Sequence, residues 1–155
     1  MHSNHEYFWR VYELNEYLAK ICMHSLLRPL TAASSWDDPT KKKPFHWAFF
    51  LKTGNAAGEG LAFQLRGMPG AFYYSGEERA NINSSSSKNG ELEVGSVPVD
   101  KYDRFKQLLA AAPITNDESS SWNCQDWSLM VLDWLRAEGF IDEQYQNNVI
   151  EYWLR

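Results

Sequence analysis

The stretch FHWAFFL at residues 45–51 constrains the fold more than any other part of the chain. It is apolar and aromatic apart from His46, and it lies between Pro44 and a glycine-rich segment at 54–60. A short apolar run between turn-forming residues is typical of a β-strand that is buried on both faces. We therefore predict a central strand with one polar side chain, that of His46.

The segments around this strand predict its neighbours in a sheet. Residues 61–67 follow the glycine-rich turn and predict an antiparallel return strand, which would bring Gln64 near His46. The periodicity of the remaining apolar residues predicts a helix followed by a strand within 7–27, and short strands at 71–74 and 91–97.

Two helices are predicted from apolar residues at three-and-four spacing. The first spans 100–112, begins with Asp100 as its cap and stops at Pro113. The second spans 142–154 at the end of the chain. Its inward side chains are predicted to be Tyr145, Val149, Tyr152 and Trp153.

A further helix is predicted to begin at Cys124. Ser121 and Asn123 are cap-forming residues just ahead of it, and Asp126 lies in the first turn, where the helix dipole favours an acid. Gly139 fits a left-handed cap at the other end, where Phe140 can fold back on Leu135. One face is predicted to carry Cys124, Trp127, Val131, Trp134 and Leu135 inward, and Gln125, Ser128 and Arg136 fall elsewhere.

These elements predict an α+β fold, in which one antiparallel sheet packs against two or three helices within a single domain over residues 1–155. The chain has 155 residues, of which 44% are hydrophobic and 23% are charged, so it can bury one sizeable core without cross-links or metal. Polar stretches rich in Pro, Ser, Asn or Gly predict flexible loops at 28–44, 81–90 and 113–121.

Charge and cysteine content narrow the classes of partner. A formal net charge of -5 argues against nucleic acid, whose binding depends on Lys and Arg neutralising phosphates. Neither a signal sequence nor a long apolar run is evident, which predicts a soluble, cytoplasmic protein without a transmembrane segment. Cys22 and Cys124 differ in local pattern, and we expect both to stay reduced. His2 and His5 have helical ligand spacing without a third ligand, so no metal and no cofactor is predicted.

Cys124, His46 and Gln64 form the candidate catalytic set. A thiol in the first turn of a helix has its pKa lowered by unpaired N–H groups and by the helix dipole, which favours a nucleophile. His46 could serve as its base, and Gln64 could orient the imidazole. The alternative for Cys124 is a buried structural thiol, and His46 could instead satisfy a backbone carbonyl while Gln64 is merely an edge polar residue.

The segments His46-Trp47-Ala48-Phe49 and Asn123-Cys124-Gln125-Asp126-Trp127 resemble a known pattern. They are similar to the circularly permuted branch of the papain-like NlpC superfamily, typified by lecithin retinol acyltransferase, in which a strand histidine precedes a helix cysteine. Those proteins carry a second histidine where this chain has Gln64, and an acidic residue then histidine at Gln125 and Asp126. The chain also resembles small fungal proteins with an HW strand and a late helix containing cysteine.

This resemblance implies a thiol-dependent hydrolase, or an acyl or peptidyl transferase, that acts on a small ester, thioester or amide through a Cys–His pair. The residues that flank the pair are predicted to contact the substrate, which we expect to be a small hydrophobic molecule: Trp47, Trp122, Asn123, Gln125 and Asp126. Two alternatives remain open. One is a non-covalent pocket protein or cyclase of secondary metabolism, with His46 or Asp126 as an acid–base group, and the other is a non-catalytic interaction module.

Overall fold

The structure is a computed structural model that describes residues 18–26, 46–52, 59–81 and 88–154. Within these residues the strands are β1 (Leu18–Leu26), β2 (His46–Lys52), β3 (Glu59–Phe63), β4 (Leu65–Arg66), β5 (Tyr73–Tyr74), β6 (Glu78–Asn81) and β7 (Lys88–Pro98). The α-helices are α1 (Tyr102–Ala111), α2 (Cys124–Ala137) and α3 (Asn147–Leu154), and a 3-10 helix, Val99–Lys101, precedes α1.

The main sheet has five strands in the order β6-β3-β2-β1-β7. All its neighbouring strands are antiparallel, and β2 lies at its centre. The predicted central strand and its antiparallel return strand β3 are therefore confirmed. The return strand ends at Phe63, however, and the chain leaves the main sheet there, because β4 pairs with β5 in a separate two-stranded sheet.

Side chains along the central strands alternate between the two faces of the main sheet. On β2, Trp47, Phe49 and Leu51 join the main core together with buried residues of α1, α2 and α3. Phe50 faces the other way and packs with Cys22 and Ala62. All three helices therefore contribute to the core on one face of the sheet, which confirms the predicted α+β fold.

The cysteine-bearing helix α2 begins and ends as predicted. Asn123 is its N-cap and accepts a hydrogen bond from the N–H of Gln125, and the Asp126 carboxylate completes a capping box. At the other end Gly139 has φ +83°, and the N–H of Phe140 donates to the carbonyl of Leu135 at 2.9 Å, as in a Schellman motif. The predicted face needs one correction, because Gln125 and Ser128 are buried as well.

The last helix differs from its prediction. Asp142 donates its N–H to the Val94 carbonyl at 2.8 Å, and Ser96 donates to Phe140, so the chain after Gly139 is bound to β7 as an extended segment. A helix cannot form through these bonded residues, and α3 begins only at Asn147. The buried side chains of α3 are Ile150 and Leu154, whereas Tyr152 and Trp153 are 80% and 63% exposed, so their predicted inward orientation is wrong.

The structure corrects two further predictions and adds a strand that the sequence did not predict. Residues 88–90 belong to β7 rather than to a loop at 81–90, because antiparallel pairing with β1 extends as far as Lys88. Asp100 does not cap α1; it lies in the 3-10 helix, and Lys101 is the N-cap without a side-chain bond. Strand β6 was not predicted, since its sequence ERAN lacks the apolar alternation of a half-buried strand.

Some predictions lie partly or wholly outside the described residues. The predicted loop at 113–121 contains neither helix nor strand, as expected. The predicted loop at 28–44, the helix predicted before β1 and the histidines His2 and His5 fall in the ranges that the structure does not describe.

Candidate functional site

The site lies where the first residues of β2 meet the first turn of α2. The backbone N–H of Trp47 is directed at the sulfur of Cys124, with 3.4 Å between nitrogen and Sγ. Trp47 follows His46 in the strand, so the thiol lies beside the peptide bond that joins these two residues. The fold thus brings together two residues that are 78 positions apart in the sequence (124 − 46 = 78).

The thiol lies at an edge of β2 that no strand among the described residues covers. β1 pairs with the whole of β2, whereas β3 pairs with it only between Phe49 and Lys52. Backbone N–H groups of a sheet point sideways in its plane, and the Trp47 N–H therefore directs the sulfur to the place that a longer β3 would occupy. Strand alternation sets His46 on the face opposite Trp47, whereas Cys124 packs in the core cluster that contains Trp47.

Gln64 holds the imidazole of His46. The two side chains meet through Nε2 of His46 and Oε1 of Gln64 at 2.8 Å, and both residues are buried. Gln64 is itself held at its backbone, because its carbonyl accepts the Ser75 hydroxyl at 3.1 Å and the Ser75 N–H at 3.3 Å. The predicted proximity of His46 and Gln64 is confirmed.

Glu78 and Arg66 extend this polar chain. The Gln64 amide nitrogen donates to Oε2 of Glu78 at 3.3 Å. Arg66 donates to both oxygens of the same carboxylate, Nε to Oε1 at 2.9 Å and Nη2 to Oε2 at 2.7 Å. The Arg66 guanidinium, with further hydrogen bonds from Ser75 and Gln64, holds the pKa of Glu78 at about 2, so that the carboxylate is charged at neutral pH.

The capping box restricts which amides can stabilise negative charge at the sulfur. Asn123 Oδ1 takes the N–H of Gln125 at 2.8 Å, and Asp126 Oδ2 takes the N–H of Asn123 at 2.9 Å. The N–H groups that favour a thiolate are those of Trp47 and of Cys124 itself. These two amides are therefore the candidate oxyanion donors of the site.

Burial controls the acidity of the thiol. It raises the pKa of Cys124 to about 12 from an ordinary value of 9.0, although the N–H groups of Trp47 and Cys124 oppose the shift; the Asp126 carboxylate adds to it. The sequence-based expectation of a lowered pKa is therefore wrong, because desolvation of the thiolate exceeds the stabilisation from the helix terminus. In the resting protein Cys124 carries its proton.

The residues predicted to contact a substrate occupy different environments. Trp47 is fully buried in the core and Gln125 is 6% exposed. Trp122 is half-buried and packs edge-to-face on Phe72, with 5.7 Å between the ring centroids. Asn123 is half-buried and Asp126 is exposed, and their side chains are engaged in the capping box.

Sequence reasoning missed Glu78 and Arg66. Arg66 lies in the two-residue strand β4, and Glu78 begins the edge strand β6, whose sequence has no apolar alternation. Their pairing depends on the path of residues 67–77, which includes β5, and no local pattern predicts that path. The one available signal was opposite charge near Gln64, and such charges are common on any surface.

The raised pKa predicts slow alkylation of Cys124. With a pKa of about 12 the thiolate fraction at pH 8 is about 10⁻⁴, against about a tenth for an ordinary thiol of pKa 9.0, so iodoacetamide should react on the order of 10³-fold more slowly. The rate should rise about tenfold for each pH unit until the thiol ionises. Quantitative mass spectrometry of the Cys124 peptide measures it.

Cys22 provides the control for this experiment. It is also free and buried, and burial raises its pKa to about 12 as well. Both cysteines should therefore be protected in the folded protein and both should react rapidly in urea. Native Cys124 reacting as fast as an unfolded cysteine would contradict the dominance of burial over the two N–H groups in setting the pKa of the thiol.

A family described as a family of unknown function (DUF6540) matches residues 36–142. That range holds His46, Gln64, Glu78 and Cys124 and makes up more than half of the chain. The chain belongs to this family. Neither the curated proteins nor the solved structures contain a match to this chain.

Membrane-spanning helices and metal-binding clusters are both absent from the described residues. No helix described between residues 18 and 154 has both the length and the apolar character needed to cross a bilayer. Among the described His, Cys, Asp and Glu side chains, no group of three or more is arranged to hold a metal ion.

Proposed function

We propose that this protein is a thiol-dependent hydrolase or acyl transferase, with Cys124 as the nucleophile and His46 as the general base. The observation that carries the proposal is the hydrogen bond from the Trp47 N–H to Cys124 Sγ, beside a histidine whose Nε2 contacts Gln64. A nucleophile, a base and a group that orients the base are the components that covalent acyl transfer requires.

The raised pKa of Cys124 determines the order of proton transfer. Because the thiol is protonated at rest, His46 must take its proton while the sulfur attacks the carbonyl carbon of the substrate. The N–H groups of Trp47 and Cys124, which bond to the thiol at rest, would donate to the oxyanion as it forms. When the tetrahedral intermediate collapses, the C–O, C–S or C–N bond of the leaving group breaks, and the leaving group takes the proton from the imidazole.

The second half of the reaction releases the acyl group. Water attacks the Cys124 thioester while His46 accepts its proton, and the products are a carboxylic acid and the free thiol. In a transferase an alcohol or amine replaces the water, and the product is an ester or amide. Either route restores the neutral thiol and imidazole, so no oxidant, metal or cofactor takes part in the proposed cycle.

We expect a small hydrophobic substrate. The surroundings of the thiol are aromatic, since Trp127 lies one turn further along α2 and Trp122 packs on Phe72 just ahead of it. Cys124 is 1% exposed, so entry of a substrate requires side chains to move aside.

We further place the protein in the cytoplasm without a nucleic-acid partner. Its free cysteines support the first expectation, and its net charge of -5 supports the second.

The proposal is tested by trapping the acyl-enzyme. Incubation with p-nitrophenyl butyrate and with a butyryl thioester should add one butyryl group, and peptide mapping should locate it on Cys124. The Cys22→Ser variant removes a thiol that is equally buried on the other face of the sheet. It should acylate like the wild type. Acylation of Cys22 alone, or of neither cysteine with a full panel of acyl esters and thioesters, would refute a thiol enzyme.

The burial of Cys124 favours a second candidate, the non-covalent pocket protein or cyclase. A thiol that is 1% exposed with a pKa raised to about 12 has the properties of a small structural hydrophobe. In that case His46 would serve as an acid–base group without a covalent intermediate. A hydrophobic ligand that binds with equal affinity to the wild type and to Cys124→Ser, with no acylation of either, would favour it.

A further inference from the structure

The carboxylate of Glu78 determines which way the Gln64 amide faces. An amide has one end that accepts and one end that donates, and a carboxylate can only accept. Glu78 therefore takes the NH₂ end of Gln64, at 3.3 Å, and the carbonyl end is left to contact the imidazole of His46 at 2.8 Å. Arg66 keeps the carboxylate in place through two charged hydrogen bonds.

The orientation of Gln64 in turn selects the tautomer of His46. A carbonyl oxygen can only accept, so Nε2 of the neutral imidazole must carry the hydrogen that it donates to Gln64. The lone pair of the ring then resides on Nδ1. A general base needs that lone pair, and it needs it on the nitrogen that is not engaged with Gln64.

We propose that Glu78 is a positioning residue, which holds Gln64 with its carbonyl toward His46 and so keeps the imidazole in the Nε2–H tautomer with Nδ1 as the base. The inference rests on the proposed function for its catalytic consequence, but its structural part concerns His46 alone. It assigns a role to a polar chain that runs from the half-buried Arg66 and Glu78 through Gln64 to the buried His46.

The charge of Glu78 fits this role. Its pKa of about 2, held down mainly by Arg66, leaves it ionised throughout the range in which the protein would work. An ionised carboxylate cannot donate to Gln64, so the amide orientation does not change with pH in that range. The Ser75 hydroxyl and N–H both donate to the Gln64 carbonyl and hold the backbone, and the carboxylate determines only the side-chain orientation.

Glu78→Gln is the variant that tests the proposal. Arg66 would attract the new amide oxygen of residue 78, and the NH₂ group would then point at Gln64. The carbonyl of Gln64 would then accept a hydrogen bond from residue 78, and the NH₂ group of Gln64 would face His46. Nε2 of His46 would have to accept from that NH₂ group. The imidazole would change to the Nδ1–H tautomer, and Nδ1 would no longer have a lone pair to act as the base.

The tautomer is measured directly from the nitrogen-15 chemical shifts of His46 in labelled protein, in mildly alkaline solution. The wild type should show a protonated Nε2, and Glu78→Gln should show a protonated Nδ1. The rate of the acylation by p-nitrophenyl butyrate should fall about 10- to 100-fold in the same variant, by analogy with residues that orient metal-binding histidines. Glu78→Asp keeps the charge and should retain the wild-type tautomer.

Glu143→Gln is the matched control, because Glu143 is exposed and distant in sequence from the polar chain. It should change neither the tautomer nor the rate. An Nε2–H tautomer in a folded Glu78→Gln variant, judged by its dispersed amide spectrum, would overturn the positioning role. A tautomer change in a protein whose wild type forms no acyl-enzyme would support the positioning role and refute the proposed function, so the two failures are distinguishable.

Discussion

Replacing Cys124 with serine is expected to lower kcat/KM toward p-nitrophenyl butyrate by a factor on the order of 10⁴. The hydroxyl is a weaker nucleophile than the thiol, and in the proposed mechanism His46 deprotonates a thiol that carries its proton at rest. His46→Ala should cause a loss of similar size, because the neutral thiol then has no base. Steady-state kinetics with purified variants measure both losses.

The double variant tests whether Cys124 and His46 act on the same step. If Cys124 and His46 act on the same step, Cys124→Ser with His46→Ala should be about as slow as either single variant, since removing one partner already disables the other. Cys22→Ser provides a control for loss of a buried thiol from the opposite face of the sheet and should keep wild-type kinetics. Multiplication of the two single losses in the double variant would show that the residues act independently.

Replacing Trp127 with alanine is expected to lower the free energy of unfolding by about 3–5 kcal/mol. Trp127 is fully buried on α2, and its ring contacts Phe49 edge-to-face at 6.0 Å and Tyr74 at 5.6 Å between centroids. The substitution leaves a cavity between the helix and the centre of the sheet. Such a loss is a large part of the 5–15 kcal/mol that stabilises a typical domain. Urea unfolding followed by circular dichroism measures it.

Two other substitutions calibrate the result. Trp153→Ala removes the same side chain from an exposed position, 63% accessible on α3, and should change the stability by less than about 0.5 kcal/mol. Trp127→Phe keeps most of the volume and removes an indole N–H that is buried without a hydrogen-bond partner among the described residues. Its cost should stay below about 2 kcal/mol. Equal losses for Trp127→Ala and Trp153→Ala would contradict the burial that the structure assigns.

Predictions from local pattern succeeded where a short segment contains its own determinants. The strand at β2 is evident because the run 45–51 is apolar on both faces, and the burial of residues 46–51 bears this out. The limits of α2 were evident because Asn123, Asp126 and Gly139 each satisfy backbone groups at a helix end. Proximity of Gln64 to His46 followed from one hairpin.

Predictions failed where distant segments compete for the same backbone. The start of α3 was placed too early because nothing local shows that residues 140–142 bind to β7. Strand β6 was missed because an edge strand needs no apolar alternation once β3 supplies its hydrogen bonds. The predicted direction of the Cys124 pKa shift is wrong for the same kind of reason, because the helix terminus is a local feature and burial is not.

The amino-acid sequence by itself determined the type of fold and the three side chains of the candidate site. Apolar periodicity and capping residues act within a few positions, so they can be identified along the chain. Only the tertiary structure decided that Cys124 meets the peptide bond after His46, and that Glu78 and Arg66 stand behind Gln64. Those contacts, and the desolvation that keeps the thiol protonated, depend on which distant segments pack together, and no local pattern carries that information.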